Sequence, residues 1–508
     1  MAKRTAIIDI GSNSARLVIY EKTSRYGFHL ICEQKSKVRI GEGAYEKGGY
    51  LQPAAIRRAY LTLHSFLQTI QKYQARKTLC VATSALRDAP NGALFVRWIK
   101  QELGLAIRII GGNKEATYGA IAVKNLLPSK ETVTIDIGGG SADMALIRDG
   151  QIIDTYSLNV GTVRLKELFF DKEPSRQEAY KKAKAYVLEA LDALPSHFKA
   201  TVVTGIGGTA RTLSKGIMKQ SQYPLDKLHA FTYDIETFKP YLEGITRSSA
   251  KGLKKFNLKK SRYDTIREGT IIWLEILSHI GAKEVITSSV GVREGVFLEQ
   301  LLKHDNLTFP ANINPSITSL LDRFKTYVNI SSKRKHKRHL AKALYSVLQH
   351  EIADKKQYEE ELLWAISLSN IGKTLTIYKS HQHAFYIAMQ ELNYGFTHKQ
   401  ILLISLLLRM HGKELLHKPL FTSFESLLPP KQALLWLSFI YTLSIFLHEA
   451  SNDAKIHFEY SNQTLRIISD RPLYLAKEKI RSLEKPIPFA VIIEDEEKVP
   501  KCKDLGIE

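Results

Sequence analysis

Residues 6–17 read A-I-I-D-I-G-S-N-S-A-R-L, and residues 133–144 read V-T-I-D-I-G-G-G-S-A-D-M. One sentence is written twice: Ile8, Asp9, Ile10, Gly11, Ser14 and Ala15 recur as Ile135, Asp136, Ile137, Gly138, Ser141 and Ala142. The copies are separated by about the length of one small domain. Each is an apolar strand that closes on an Asp, then a tight turn of small residues, then a second strand. Gly and Ser in such a turn let backbone N–H groups point inward at an anion. The Asp at the strand end can hold a divalent cation. Two such turns facing across a cleft would grip a phosphate chain from both sides. A single D-x-G turn is more often a plain hairpin, but a structural turn has no need to repeat Asp, Gly and Ser in register.

Outward from the first copy, residues 1–125 alternate strand-like runs (5–10, 16–20, 78–82, 106–110) with helical ones (54–73, 94–103, 115–127). Residues 131–303 repeat the style, with a meander over 132–137, 142–148 and 151–159 and a helix near 175–194. A strand at 201–204 then runs into the glycine turn G-I-G-G-T-A (205–210), and a later strand at 284–287 ends at S-S-V-G-V-R-E-G (288–295). Such alternation implies a mixed sheet covered by helices. After Asn306 the style changes. Residues 310–315 read as a linker, residues 316–450 carry helical periodicity throughout, and the tail returns to strand-like runs (456–460, 464–468, 489–493) around a helix near 473–483. The domain reading is 1–125, 126–305, 306–452 and 453–508: two α/β lobes, an all-α domain and a small α+β segment.

Hydrophobic residues at 44% and charged residues at 24% fit a soluble globular protein. The net charge of +22 predicts a polyanionic partner (nucleic acid, anionic lipid or polyphosphate), with a generally basic proteome as the equal alternative. Cys32, Cys80 and Cys502 are odd in number and widely spaced. They form no metal or redox motif and read as reduced thiols of a cytoplasmic protein. The N-terminus runs straight into a strand, so no signal peptide is expected. The apolar stretches 401–410 and 433–447 fall short of the roughly 20 residues a membrane span requires, and Ser438, Thr442 and Ser444 interrupt the second. Buried core helices are expected there, with no membrane association.

Candidate site residues cluster at the strand ends. Gly11, Ser12, Asn13 and Ser14 form the first turn. Gly138, Gly139, Gly140 and Ser141 form the second, where three consecutive glycines exceed what a hairpin needs. Asp136 and Asp143 can both reach one metal at its mouth. Arg87, in T-S-A-L-R-D (83–88), either contacts a phosphate bidentately or pairs with Asp88. Glu115, in I-I-G-G-N-K-E-A, lies at the junction of the two halves, where a cleft base would stand. Its alternative is a first-turn Glu that complements the helix dipole, with Asn113 as cap. Gly208, Thr209 and Arg211 follow a strand and open a helix, a place for a phosphate or a closely packed ribose. The basic runs 251–262 and 333–342 are either solvated faces or a polyanion track.

Together these motifs resemble the exopolyphosphatase / guanosine pentaphosphate phosphohydrolase family, within the actin-like, sugar-kinase and heat-shock-chaperone superfamily. The resemblance rests on D-I-G-S-N-S (9–14), A-T-S-A-L-R-D-A (82–89), G-x-x-E-A (112–116), D-I-G-G-G-S (136–141), G-G-T (207–209) and G-V-R-E-G (291–295). It implies duplicated ribonuclease-H-like lobes flanking a cleft, and water attack on a terminal phosphate of polyphosphate or pppGpp. It implies Glu115 as general base, Asp136 and Asp143 as residues linked to a divalent cation, usually Mg2+, and Asn13, Arg87, Gly138, Ser141 and Arg262 as phosphate contacts. Two departures stand out: the family usually has Glu where this chain has Asp143, and Lys114 replaces a frequent Glu. The shorter Asp143 requires the metal or a bridging water to sit closer. The helical region resembles the HD-like domain of longer family members, but L-S-N-I-G (368–372) stands in place of the His-Asp pair. Ser and Asn are poor metal ligands. His381, His383 and His411 persist, and the domain reads as a non-catalytic binding or dimerisation unit. The resemblance suggests a homodimer, and no nucleic-acid partner is expected. The rival functions are an ATP-dependent kinase on the same fold, with 207–209 facing an adenosine, and a non-catalytic polyphosphate or (p)ppGpp sensor.

Overall fold

The computed structural model describes residues 3–44, 47–173, 175–328, 331–352, 354, 357–410, 422–451 and 453–495. Cys502 and His411 lie outside the described residues. The chain divides into two compact units, one of residues 1–319 with 394–397, the other of residues 320–393 with 398–508.

In the first unit each copy of the repeated sentence becomes the central hairpin of a sheet. Strands β1 (Lys3–Ile10), β2 (Ala15–Lys22), β3 (Phe28–Ser36), β4 (Lys77–Ala82) and β5 (Ile107–Ile109) lie in the order β3-β2-β1-β4-β5. Strands β6 (Thr132–Ile137), β7 (Ala142–Arg148), β8 (Gln151–Leu158), β9 (Val202–Ile206), β10 (Thr232–Asp234) and β11 (Glu284–Thr287) repeat that order as β8-β7-β6-β9-β11, with β10 at the edge. In both sheets the meander is antiparallel and the next two strands add in parallel. Parallel addition demands crossover helices. In the first lobe these are α1 (Pro53–Lys72), then the short α2 (Ser84–Asp88) with α3 (Gly92–Leu103). The duplicated α/β architecture expected from sequence is what forms.

The expected 3.6-residue periodicity appears as α1, whose buried Ala55, Ala59, Leu63, Phe66 and Ile70 share one face. Strand β3 was not anticipated. It is flanked only by β2 and alternates Phe28, Leu30 and Cys32 with His29, Ile31 and Glu33, so no clean two-residue burial period marks it. The helix that the sequence reading opens at the glycine turn is α7 (Gly207–Gln220), and the region up to 301 holds three more that it did not give: α8 (Ile235–Arg247), α9 (Ile266–Ile280) and α10 (Val292–Leu301).

The helix α4 (Gly112–Leu126) decides the site. Tyr118, Ile121 and Ala122 pack toward Ile7 and Val18 of the first sheet and Phe297 of α10. Ala116, Ala120 and Val123 pack toward Ala145 and Ile147 of the second sheet. A helix apolar on both faces must be covered on both, so α4 is held between the lobes. Each fully buried aliphatic side chain in this layer contributes about 1.5–3 kcal/mol. At Gly295 a Cβ would run into the Tyr118 carbonyl, which makes that glycine the crossing point of α4 and α10. The helix begins earlier than predicted: Gly111 occupies the cap position and Asn113 lies inside the first turn. Gly112 is required there because a Cβ would drive into Ser157. In the first lobe the opposite face of the sheet is filled by Ile8, Ile10 and Leu17 against α1 and α3.

Among its described residues the second unit is helical up to 450, and the three-stranded sheet Ile456–Ser461, Thr464–Ser469 and Ala490–Asp495 follows, within a residue or two of the expected runs. Its helix Lys431–Ala450 is long and apolar enough to cross a membrane by length and composition, and 83% of that stretch is buried inside the fold. At the L-S-N-I-G segment, Ser369 accepts a 2.7 Å hydrogen bond from the buried Lys337 ammonium.

Candidate active site

Both turns of the duplicated sentence close with the same hydrogen bond. The Gly11 N–H donates to the Ser14 carbonyl at 3.1 Å, and the Gly138 N–H donates to the Ser141 carbonyl at 2.9 Å. A Cβ added to Gly139 would lie 2.9 Å from the Ser12 Cβ, so the two turns touch across the cleft. The Ser12 hydroxyl shares a 3.0 Å hydrogen bond with the Ser84 hydroxyl at the start of α2. The space they enclose is a cavity of about 160 Å3. Gly11, Ser12, Asn13, Ser14, Gly138, Gly139, Ser141, Gly208, Arg262, Asp136 and Glu115 all line it.

Four of the residues singled out in the sequence lie behind that wall. Thr209 is buried, with its hydroxyl aimed at the Ile137 carbonyl at 3.5 Å. The Gly140 carbonyl accepts from Arg164 Nε at 3.0 Å. Asp143 lies directly across the strand pair from Asp136 and is 3% exposed. It accepts from Ser141 Oγ at 3.1 Å and from Ser157 Oγ. Arg87 pairs with Asp88, its Nε donating at 3.0 Å, and its Nη1 is buried with no hydrogen-bond partner.

Glu115 stands on the first turn of α4 at the cavity floor, and its Oε2 is buried without a partner. Burial raises its pKa well above the ordinary carboxylate range; Asp143, Asp136 and Asp9 push the same way and Arg87 opposes them. Burial likewise raises Asp136, against the pull of Arg211, Arg16 and Arg293. It lifts Asp9 to about 6 and Asp143 to about 7, the latter with Asp136 adding and the Ser157 and Ser141 hydroxyls opposing. Gly207 adopts φ +77, and a Cβ there would run into Asp136 Oδ1. The glycine turn therefore fits around the Asp136 carboxylate.

Three residues that the sequence reading gave no site role, Arg16, Lys35 and Arg293, line the wall together with Asp9 and Arg211, which it had placed at the strand end and in the glycine turn. Arg16 was legible in the repeat, because it occupies in the first hairpin the place that Asp143 holds in the second. Lys35 was hidden by the unread β3, which sets it opposite Arg16. Arg211 is anchored by the Ser288 and Val290 carbonyls at 2.8 and 3.3 Å. Burial, with Arg293 and Arg16 nearby, lowers its pKa to about 10. Arg293 donates to Glu33 at 2.9 Å, and Glu33 also accepts from Arg16 at 3.3 Å. Glu294 accepts from the Tyr20 hydroxyl and from the Gly291 N–H, both at 2.7 Å, and so ties α10 to β2. Among the described residues no group of three or more His, Cys, Asp and Glu is arranged to hold a metal ion.

One wall of the cavity is thus guanidinium and ammonium, the floor is carboxylate, and two amide-rich turns bridge them. That arrangement is chemically suited to a short polyanion with a carboxylate beside it, and duplicated sheets of this order around a cleft make an actin-like fold. The Ppx/GppA phosphatase family model matches residues 18–304, and its domain III model matches residues 314–478. The chain belongs to the Ppx/GppA phosphatase family. It is 28% identical over 316 residues to exopolyphosphatase 2 of Mycobacterium tuberculosis, covering 58% of this chain and 98% of that protein. It is 32% identical over 314 residues to a bifunctional 3-dehydroquinate synthase/phosphatase of Fusobacterium nucleatum, a match that spans 58% of this chain and 46% of that longer protein. Among solved structures, the Aquifex aeolicus Ppx/GppA family member aligns over 60% of this chain and 99% of its own, with TM-score 0.51 and 28% identity. An exopolyphosphatase from Cytophaga hutchinsonii shares the fold at TM-score 0.55 and 22% identity, over 60% of this chain and 100% of its own.

Proposed function

We propose that this phosphatase hydrolyses a terminal phosphoanhydride, releasing orthophosphate from the end of inorganic polyphosphate or from the 5′-γ position of pppGpp. The observation that carries the proposal is the buried, unpartnered Oε2 of Glu115 between two anion-binding turns. A buried polar oxygen without a partner costs about 1–3 kcal/mol, and a water bound there would satisfy it. Glu115 orients that water and takes its proton as the oxygen attacks the terminal phosphorus. The bridging P–O bond breaks, and the electron pair leaves on the shortened chain. The amides of the two turns hold the terminal phosphate oxygens in line. Arg16, Arg211, Arg262 and Arg293 neutralise the charge that builds on the leaving oxygen, which is most of what such catalysis requires.

The oxygen donors fit a divalent cation such as Mg2+, which takes one or two carboxylates and completes its shell with water and phosphate oxygens. Asp136 would hold it, with Asp143 behind. When bound it would supply further neutralisation of phosphate charge. The exchange of Glu for Asp at 143 leaves that carboxylate under the turn, bonded to Ser141 and Ser157.

The test is phosphate release with Mg2+ and no acceptor, comparing kcat/KM for polyphosphate and pppGpp on one preparation. Release from either supports the proposal. Transfer only in the presence of an acceptor identifies a kinase, and binding without release identifies a sensor.

A further inference from the structure

The second turn is held from behind, carbonyl by carbonyl. The Gly138 carbonyl accepts from the Thr162 N–H at 3.0 Å, and the Gly139 carbonyl accepts from the Val163 and Arg164 N–H groups at 2.9 and 3.1 Å. These donors belong to α5 (Thr162–Leu165). The next carbonyl, that of Gly140, is taken instead by a side chain, Arg164 Nε at 3.0 Å. In a trans peptide the C=O of one residue and the N–H of the next point in opposite directions. Carbonyls drawn toward α5 therefore turn the Gly139, Gly140 and Ser141 N–H groups the other way, and Gly138, Gly139 and Ser141 line the cavity. In the first turn the Ser12 and Asn13 carbonyls accept from backbone amides, those of Gly41 and Arg39 at 3.2 and 3.1 Å.

Arg164 also reaches the opposite lobe. Its Nη2 donates to Asp88 Oδ2 at 3.5 Å, while Asp88 Oδ1 accepts from Arg87 Nε at 3.0 Å. One guanidinium thus holds the turn of the second lobe and, through Asp88, the Arg87 of the first. The Arg164 and Asp88 side chains are 19% and 34% exposed, and a long ion pair so placed adds little to stability. Its effect is on direction. The Arg87 charge is felt by the Glu115 and Asp143 carboxyls, so where that guanidinium stands matters inside the cleft.

We propose that Arg164 is a positioning residue, which fixes the second turn and Arg87 in one frame so that both meet the same terminal phosphate. The inference rests on the function proposed above. A planar guanidinium makes both engagements at once, Nε to the carbonyl and Nη2 to the carboxylate, where an ammonium offers a single point of charge. Asp88 transmits the constraint. Arg87 Nη1, buried without a partner, is left for the substrate.

The experiment is a double-mutant cycle on the full chain, Arg164→Met and Arg87→Met singly and together, with Arg164→Lys as the conservative variant. Phosphate release from tripolyphosphate and pppGpp gives kcat/KM, titration gives tripolyphosphate binding, and urea unfolding gives stability. Arg164→Met is expected to lower kcat/KM by about tenfold or more, with the urea midpoint nearly unchanged. In the Arg87→Met background that loss should shrink by about threefold or more. Arg164→Lys should recover only part of it, because the charge returns without the fork. Additive losses would make Arg164 a structural residue, and a fully active Arg164→Lys would make it a plain charge; either overturns the positioning role, as does an unchanged kcat/KM. If the unmodified protein releases phosphate from neither substrate, the proposed function itself fails. The cycle is then read on tripolyphosphate binding, where non-additive losses support the shared frame and additive losses overturn it.

Discussion

Glu115→Gln should separate turnover from stability, in opposite directions. The carboxylate has a buried oxygen with no partner and stands in the field of Asp143, Asp136 and Asp9. Its raised pKa means that the fold holds the proton more tightly than the unfolded chain does. Stability from this group is therefore present at low pH and lost as pH rises past the ordinary carboxylate range. Gln carries no charge to bury, and its amide N–H2 can donate to the neighbouring acids. The variant should be more stable than the parent at neutral pH, and the difference should vanish below about pH 4. Turnover should fall by the share a general base supplies, about 10² to 10⁴ in kcat, equivalent to about 3–5 kcal/mol of transition-state stabilisation. KM should barely move, because the turns and guanidinium groups that bind phosphate are untouched. Phosphate release under saturating substrate measures the first effect, and urea unfolding at pH 4 and pH 7.5 measures the second. Near-parental kcat would remove Glu115 from the base role. Loss of both activity and stability would show that the carboxylate is a structural tie.

Three further perturbations follow from the geometry. Gly207→Ala forces a side chain into the left-handed region and against Asp136 Oδ1; it should cost at least about 1–2 kcal/mol of stability and shift the Mg2+ titration of activity to higher concentration. Glu268→Gln addresses a fully buried carboxylate with neither oxygen hydrogen-bonded, raised by burial to about 7 with Arg267 opposing. The gain should be near zero at pH 4 and grow as pH rises through 7, to about 3 kcal/mol at pH 8, as read by denaturant melts; a flat difference across that range would count against it. Glu33→Gln releases Arg16 and Arg293 from their shared acceptor, and should raise KM a few-fold with a smaller change in kcat. Glu33→Asp should recover part of the loss, and unchanged Michaelis parameters would leave Glu33 without a positioning role.

The repeated D-I-G hairpins were legible because each level of the sequence agreed: apolar strand, small-residue turn, and the same order in both copies. They carried the sheet order with them. Residues whose role depends on a partner far along the chain were not legible. Arg293 enters the wall only because α10 crosses α4 at Gly295 and meets β3 through Glu33. Lys35 needed β3, whose weak alternation did not announce a strand. Asp143 shows the reverse case. Its spacing from Asp136 marked it for the metal mouth, whereas the Ser141 and Ser157 hydroxyls hold it beneath the turn. No local pattern encodes Ser157, which arrives through the β7–β8 pairing.

Duplication alone would give a symmetric cleft, and a symmetric cleft has no reason to cleave a chain at one end. Symmetry is broken at one register position of each hairpin. Directly opposed residues on an antiparallel pair share a face, with Cβ atoms about 5 Å apart. In the first lobe that face carries Asp9, Arg16 and Lys35 in successive strands, and in the second it carries Asp136, Asp143 and Ser157. The first row is net cationic and the second net anionic, at the same place in the same fold. Arg16 and Lys35 of the cationic row also line a second concavity of about 210 Å3 beside the cleft, while the anionic row lies beside Glu115. A polyanion placed between them is drawn by its body to the first row. Under the proposed function its terminal group is left at the second, beside Glu115. Under the proposed function, the orientation of a bound substrate is therefore set by divergence at Arg16 and Asp143, on the second strands of hairpins whose turns close with the same hydrogen bond.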